Sequence, residues 1–213
     1  MPTHAVKQGE CVSRIAAEHG FSDWKTVYND PANADFREQR PNPNILCEGD
    51  TLFIPERAKK TATCTTGQTH KFTVRLPTKK LRLVVLDHAG APVSSVPYKL
   101  VVEDKTYSGS TDGDGAIEQV IPVDAETGTL EANGRSWPLR IGHLNPLDDT
   151  TDSGVSGAQA RLRNLGYDPG PVAGDLGART KAALRAFQRA NALKVDGKLG
   201  ADTKKKLADK HGC

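Results

Sequence analysis

Three short segments contain residue types that could act in catalysis or metal binding, but each differs from the pattern that this chemistry requires. Residues 112–115 (Asp-Gly-Asp-Gly) begin like a calcium-binding loop, but the twelfth position is Val123, where calcium requires a bidentate carboxylate. Residues 109–113 carry Thr111 where a nucleophile elbow has serine, so we predict a hairpin turn there. His211 and Cys213 pair a base with a thiol, but they end a predicted helical segment. The sequence predicts no catalytic residue and no cofactor.

Metal ligands are also missing from the sequence pattern. The chain contains no His-Glu-x-x-His motif, and its cysteines form no Cys-x2-Cys pair, so we predict no metal site. Cys11 and Cys47 lie at the inner ends of two segments that we expect to pair. Either a disulfide joins these two cysteines or both are free, partly buried thiols.

The strongest sequence signal is an internal repeat near the C-terminus. Residues 172–184 return 23 positions later as residues 195–207, with the same Val, two Gly, Ala, Thr, Lys and two Leu at matching places. Each copy is typical of a glycine-containing turn that leads into a helix. We predict helices at about 155–165, 178–191 and 201–210, with Leu162, Leu184 and Phe187 in their core.

Together with residues 159–167 and 186–188, the repeat makes residues 154–212 resemble the peptidoglycan-binding domain 1 family. The resemblance implies a three-helix module that binds peptidoglycan. Six candidate contact residues lie around the turns: Tyr167, Asp175, Arg179, Gln188, Asp196 and Lys198. Tyr167 is equally compatible with a place in the core.

The N-terminal segment reads as strand, two helices and strand. Residues 4–8 predict a strand, Val12, Ile15 and Ala16 recur at helical spacing, Gly20 ends that helix, and residues 51–55 predict the closing strand. A second helix is expected at about 24–28, and the prolines within residues 40–44 require a loop. Residues 6–16 and 44–55 resemble the LysM family, with Cys11 at a position that is usually Thr or Ser.

The LysM resemblance implies a shallow glycan groove between the loop after the first strand and the loop before the last. One side would consist of Gly9, Glu10, Cys11 and Val12, and the other of Asn44, Ile45 and Leu46. Backbone groups and the Asn44 amide would bind N-acetyl groups, and Val12 and Ile45 would cover sugar faces. For Val12 and Ile45, packing within the small module is an equal alternative.

The middle of the chain alternates short β-rich runs with turns. We predict strands at residues 71–76, 81–87, 96–103, 116–122, 129–132 and 135–141, with turns at Gly90, at 109–115 and at 133–134. Residues 91–98 and the following turn resemble transthyretin-like or carboxypeptidase-regulatory β-domains, which implies a spacer or docking surface.

These segments predict a multi-domain α+β chain of three small modules. The modules are a βααβ module (1–56), an antiparallel β-sandwich (70–145) and a three-helix module (154–213), joined by linkers at 57–69 and 146–153. Such small modules leave no room for a further catalytic domain, so we predict that the protein is not an enzyme.

The charge distribution points to an anionic partner. Residues 154–213 contain twelve Lys and Arg against five Asp and no Glu. This basic module is suited to peptidoglycan, teichoic acid or nucleic acid, or it is a solvated face that keeps the module soluble. Only Tyr167 and Phe187 are aromatic in it and no groove-binding motif appears, so we predict no nucleic-acid partner.

The first ten residues include no apolar segment, and no stretch of about 20 apolar residues occurs in the chain. We therefore expect synthesis in the cytoplasm, no membrane insertion, and action in the periplasm or at the cell wall after non-classical export. Two functions agree with these features. One is non-catalytic peptidoglycan binding through both end modules. The alternative is an adaptor of a contractile injection system, such as type VI secretion, that docks a spike or effector protein; LysM and peptidoglycan-binding proteins encoded near spike genes are similar to the chain.

Overall fold

A computed structural model of the chain describes residues 2–57, 61, 63–71 and 77–212. The described residues form an N-terminal β/α region, central antiparallel sheets and three C-terminal helices, which confirms the predicted α+β class. Each region has its own apolar core.

The N-terminal region is a two-stranded antiparallel sheet with short helices between its strands. Its elements are β1 (Thr3–Ala5), α1 (Val12–Glu18), α2 (Lys25–Tyr28), a 3-10 turn (Pro31–Asn33), α3 (Ala34–Gln39) and β2 (Thr51–Phe53). Thr3 pairs with Phe53 and Ala5 with Thr51. Val12, Ile15 and Leu52 are fully buried between the sheet and the helices.

The predicted order of strand, helix, helix and strand was incomplete, because it did not include helix α3. Asp30 begins the extra segment, because its carboxylate accepts a hydrogen bond from the Ala32 N–H and Pro31 follows it at the first helical position. The buried Asn33 side chain then donates to the carbonyls of Val27 and Phe53 and accepts from the Phe53 N–H. Asn33 thus joins α2 to β2.

The central region contains two antiparallel sheets that share one core. Its strands are β3 (Thr78–Val84), β4 (Pro97–Val102), β5 (Lys105–Ser110), β6 (Ala116–Pro122), β7 (Thr127–Ala132) and β8 (Arg135–Arg140). Strand β3 pairs with β6, and the second sheet has the order β5-β4-β7-β8. Ile117 and Ile121 from the first sheet meet Leu100 and Leu130 from the second.

The predicted turn at Gly109 and Ser110 is wrong, because both residues end β5. Tyr98 lies opposite Gly109 in the sheet, and a Cβ atom at Gly109 would come within 3.0 Å of the Tyr98 hydroxyl oxygen. Glycine therefore serves here to admit an aromatic ring above the backbone. The predicted strand at 71–76 lies, apart from residue 71, outside the described residues. The turn at Asn133 and Gly134 is confirmed, since both have positive φ angles.

The C-terminal helices agree with the predicted bounds within one residue. They are α4 (Val155–Asn164), α5 (Ala178–Ala190) and α6 (Ala201–His211). Leu162, Leu184, Phe187 and Leu207 pack at the centre with almost no exposed surface. None of the helices in the part of the chain that the structure describes is long and apolar enough to cross a membrane.

Residues 142–149 connect the central sheets to the C-terminal helices and lie against the N-terminal region. The buried guanidinium of Arg40 forms two hydrogen bonds with the Asp50 carboxylate, at 2.7 and 2.9 Å. Arg40 also donates to the main-chain carbonyls of Asp148 and Asp149. Burial alone would lower the pKa of Arg40, but the Asp50 carboxylate raises it. The arginine stays charged and ties the two regions together.

Two further contacts continue this interface. The Gln8 side chain donates to the Asn145 side-chain oxygen at 3.0 Å, and Arg14 forms an ion pair with Glu126. Leu147, within the predicted linker, belongs to the core of the C-terminal helices. The three regions are therefore packed on one another through this segment.

Candidate binding site

The first copy of the C-terminal repeat folds around the side chain of Gln159 in α4. The Gln159 carbonyl oxygen accepts hydrogen bonds from the N–H groups of Ala173 and Gly174, at 3.1 and 3.0 Å. Its amide nitrogen donates to the Asp175 carbonyl and to the Thr180 hydroxyl, both at 2.9 Å. One buried amide thus fixes the turn and the start of α5.

The second copy folds in the same way around Gln188 in α5. The Gln188 oxygen accepts from the N–H groups of Asp196 and Gly197, at 3.1 and 2.9 Å. Its nitrogen donates to the Lys198 carbonyl at 3.0 Å and to the Thr203 hydroxyl at 3.2 Å. Gln159 and Gln188 are both at most 2% exposed, so every polar atom of these amides needs a partner and has one.

The two turns lie at opposite ends of α5, because one precedes this helix and the other follows it. A helix of 13 residues spans about 20 Å, so the two turns are separate patches on the surface of the module. Each patch combines a fixed loop backbone with the side chains that project from it.

The predicted contact residues of this module divide by exposure. Asp175, Arg179 and Lys198 are exposed, and Asp196 is half-buried. Gln188 is buried with its amide fully engaged, so it positions the turn and presents no free group to a ligand. The glycan contacts of the exposed residues remain predictions.

Tyr167 is half-buried and belongs to the edge of the core. Its ring meets that of Phe187 edge to face, with 5.6 Å between the ring centroids. One side of Tyr167 thus packs against the core and the rest reaches the surface, and a glycan contact of the exposed part stays a prediction.

Exposed ionic groups surround the first turn. The Arg179 guanidinium lies 2.6 and 2.7 Å from the two carboxylate oxygens of Asp168. The hydrogen bond from Arg179, with another from the Gly170 N–H, lowers the pKa of Asp168. At the second turn, the Lys198 N–H and the Gln188 amide lower the pKa of Asp196. Both carboxylates are therefore ionised at neutral pH.

Sequence reasoning missed three kinds of residue in this site. Gln159 contributed to the family resemblance but was not chosen as a site residue, because it lies outside the 23-residue repeat. Val172 and Val195 occupy the first position of each repeat and are 40% and 43% exposed. Their place in a polar turn, outside any helical periodicity, could have identified these valines as surface contacts. Asp168 could have been found from the Asp-Pro-Gly turn that it begins.

The N-terminal candidate residues are mostly buried. Gly9, Glu10, Cys11, Val12 and Leu46 are buried, Ile45 is half-buried and Asn44 is exposed. The first side of the predicted groove contacts the residue that precedes the second side, because the Val12 N–H donates to the Pro43 carbonyl at 3.0 Å. Glu10 accepts hydrogen bonds from the Lys7 N–H and from His4. Burial would raise the pKa of Glu10, but these hydrogen bonds lower it.

The protein's own chain covers the first side of this groove. A Cβ atom at Gly9 would lie 3.1 Å from the His143 ring, and one at Gly142 would lie 2.6 Å from the Gly9 carbonyl oxygen. Gln8 is bound to Asn145 beside them. A ligand could therefore reach Asn44 and Ile45 directly, but it would reach Gly9 only after residues 142–145 had moved.

Cys11 and Cys47 are free thiols, with Cys11 buried and Cys47 half-buried. Of the two alternatives from the sequence, the structure thus has the unbonded one. Burial and the nearby Asp50 carboxylate raise the pKa of Cys47, which keeps that thiol protonated. Within the described residues, no group of three or more His, Cys, Asp or Glu side chains could hold a metal ion.

Comparison with known proteins identifies one part of the chain. Residues 151–207 match the family model described as Putative peptidoglycan binding domain, PG_binding_1. No curated protein and no solved structure matches the chain. The match spans α4, α5 and most of α6, including both turns and both buried glutamines.

The C-terminal helical module is therefore a peptidoglycan-binding domain of the PG_binding_1 type. This assignment makes peptidoglycan the ligand indicated for the module and associates the protein with the cell wall. It confirms the resemblance seen in residues 154–212 of the sequence.

Proposed function

We propose that this protein binds peptidoglycan without catalysis and that the two turns of the C-terminal module are its main contact surfaces. The observation that carries this proposal is that the same turn occurs twice. Each copy is held rigid by a buried glutamine and faces solvent. A rigid loop loses little conformational entropy when it binds, so its exposed groups can be used for recognition.

The chemistry of the two patches suits this polymer. Peptidoglycan offers sugar rings with apolar faces, N-acetyl groups and stem peptides with carboxylates. Val172 and Val195 provide small apolar contacts, and the amide and carbonyl groups of the turns can bind N-acetyl groups. The excess of Lys and Arg in residues 154–213 attracts the stem-peptide carboxylates, so binding should weaken as ionic strength rises.

The N-terminal module, in our proposal, is LysM-like and contributes a secondary contact. Support comes from the antiparallel pairing of β1 with β2 around intervening helices and from the approach of residue 43 to residue 12. Asn44 and Ile45 are the accessible candidates, whereas residues 142–145 cover the opposite side. On this view, the C-terminal module supplies most of the affinity, and the protein acts in the periplasm or at the wall after export.

Co-sedimentation with purified peptidoglycan sacculi tests the proposal. We expect the full chain to sediment with sacculi at physiological salt and to be released progressively by added salt. Replacing Arg179 and Lys198 together with alanine should weaken binding by about tenfold. Replacing Val172 and Val195 with serine should also weaken binding, by a factor that does not depend on the salt concentration.

Arg135→Ala is the matched control, because Arg135 is an exposed arginine on the β8 hairpin, far from both turns in sequence. This variant should bind as the parent does. A parent protein that stays in the supernatant at low salt, or turn variants that bind as Arg135→Ala does, would contradict the proposal.

A second candidate function is that of an adaptor in a contractile injection system. The observation that favours it is an open cleft of about 330 Å³ between α1 and the central sheets, lined by both charged and apolar groups. Tyr107, Val120 and Pro122 provide its apolar wall, and Val120 is 53% exposed. On this reading, the cleft docks a spike or effector protein while the C-terminal domain contacts the wall.

Binding of purified spike-tip and effector proteins encoded beside this gene would discriminate the two functions. A 1:1 complex that survives gel filtration and is lost on Val120→Glu substitution supports the adaptor. Val84→Glu is the control, because Val84 is also exposed and in a β-strand but does not line the cleft. A monomer that binds sacculi and none of these proteins contradicts the adaptor and leaves plain peptidoglycan binding.

A further inference from the structure

Two histidines that are far apart in sequence meet on the N-terminal module. His4 lies in β1, and His19 follows the last residue of α1. The Nδ1 atom of His4 is 3.2 Å from the Nε2 atom of His19. The two rings are perpendicular, with 5.3 Å between their centroids.

We propose that His4 and His19 together bind one divalent transition-metal ion of the zinc, nickel and copper group, with Glu10 holding His4 in the ligand orientation. Neutral imidazole is a preferred ligand for these ions. No metal site was predicted from the sequence, because it contains no metal-binding motif. The fold brings together the ring nitrogens of two histidines that are 15 positions apart.

The distance between the two nitrogens is the first argument. Two nitrogen ligands that are each about 2.0–2.1 Å from a tetrahedral metal ion are about 3.3 Å from one another. The observed 3.2 Å agrees with this separation and is longer than most N–H hydrogen bonds, which are about 2.9–3.0 Å. A metal ion would therefore take the place of the proton between the rings, with each ring turned so that its lone pair points at the ion.

The state of the His4 ring is the second argument. Its other nitrogen, Nε2, lies 2.8 Å from the Glu10 carboxylate, which also accepts a hydrogen bond from the Lys7 N–H. Because the carboxylate accepts, the neutral ring of His4 carries its proton on Nε2, and Nδ1 then presents its lone pair toward His19. A carboxylate that orients a ligand histidine in this way is the usual outer partner in metal sites.

Access and rigidity are the third argument. His19 is exposed, so water molecules can complete the coordination and the ion has an entry path. His4 is held by the pairing of β1 with β2, and His19 is held by the buried face of α1. Binding would tie the strand to the helix, so the ion should stabilise the N-terminal module.

Zinc titration of the full chain tests this site. In a Cys64→Ser background, which removes an exposed thiol, long-range proton–nitrogen NMR spectra report each histidine ring nitrogen. We expect zinc to shift His4 Nδ1 and His19 Nε2 at one equivalent and to raise the melting temperature. Calorimetry should show affinity at least tenfold weaker for His19→Ala and about tenfold weaker for Glu10→Gln.

His88→Ala is the matched control, because His88 is an exposed histidine of the central region and should leave binding unchanged. His19→Ala keeps the test valid if replacement of the half-buried His4 impairs folding, since His19 is exposed. Zinc that shifts no resonance of His4 or His19, shifts His88 equally, or binds His19→Ala as tightly as the parent would overturn the proposal.

Discussion

Gln159 and Gln188 perform the same task in the two copies of the C-terminal repeat, although 29 residues separate them and 23 separate the turns that they hold. Each accepts from two consecutive N–H groups of its turn and donates to the threonine hydroxyl in the following helix. Three residues of this six-residue difference lie in the connection after α4 (165–177), which is longer than the one after α5 (191–200). The other three arise because Gln159 lies five residues before the end of α4, whereas Gln188 lies two residues before the end of α5. The repeated structural unit thus includes a glutamine that, in the first copy, lies outside the repeat seen in the sequence.

Gln188→Ala should lower the free energy of unfolding by about 3 kcal/mol, because it leaves buried N–H groups of the second turn without an acceptor. Urea unfolding of the full chain measures this effect. Gln39→Ala, at an exposed position, should change stability by less than about 0.5 kcal/mol. Equal stability of the two variants would show that the Gln188 amide does not hold the turn.

Arg40→Ala should destabilise the protein by about 3–5 kcal/mol, because it leaves the Asp50 carboxylate buried without a counter-charge. Arg40→Lys should recover only part of this loss, since an ammonium group cannot reproduce the paired hydrogen bonds of the guanidinium. Thermal unfolding reports both variants, and Arg135→Ala again serves as the control. A melting temperature for Arg40→Ala equal to that of the control would contradict a role at the interface.

Gly154→Ala and Gly166→Ala separate the effect of backbone strain from that of steric overlap. Both glycines have positive φ angles, of 83° and 87°, so alanine adds about 1–2 kcal/mol of strain at either position. At Gly154 the new methyl group would also overlap the Leu147 carbonyl oxygen, whereas nothing lies near Gly166. We expect the Gly154 variant to be clearly the less stable in urea. The opposite order would exclude close packing of residue 147 on the start of α4.

The pH dependence of stability should show the titration of His211. Burial, with the Arg161 charge as a further cause, lowers the pKa of His211 from 6.5 to about 4. Between these values the unfolded chain binds a proton that the folded chain does not, so the free energy of unfolding falls as pH decreases from about 6.5 to 4. Allowing for partial exposure, the loss is about 2 kcal/mol.

His211→Gln should remove this part of the pH dependence, while His88→Gln should retain it, because His88 is exposed. Urea unfolding at a series of pH values between 4 and 7 provides the comparison. Parallel curves for the parent and His211→Gln would place the titrating group elsewhere.

The sequence predicted the C-terminal module well for a physical reason. Its turns depend on glycines and its core on regularly spaced leucines, and both are local patterns that a single chain displays. The strand β6 and the hairpin at residues 133–134 were predictable on the same grounds. Helix α3 was missed because only Phe36 of its six residues is buried, so the segment shows no apolar periodicity. Strand β5 was missed because Gly109 was interpreted as a turn.

Contacts between distant segments could not be predicted in this way. Gln8 meets Asn145 across 137 positions, and Arg40 meets Asp148 across 108. Nothing near Arg40 in the sequence distinguishes it from a solvated arginine. The exposed candidates Asp175, Arg179 and Lys198 lie at or beside the turns, and their glycan contacts stay predictions. The burial of Gln188 and of residues 9–12 follows from tertiary packing alone.

The packing of residues 142–152 determines where the molecule can be divided. Leu147 fills the helical core, and the Asp152 carboxylate accepts from the Ser156 N–H at the first turn of α4. Asn145 binds both Gln8 and Ser156. A fragment intended to carry the wall-binding domain by itself should therefore begin at or before residue 145. A fragment that begins at residue 154 would lack Leu147, which leaves a cavity in the core, and Asp152, which caps the start of α4.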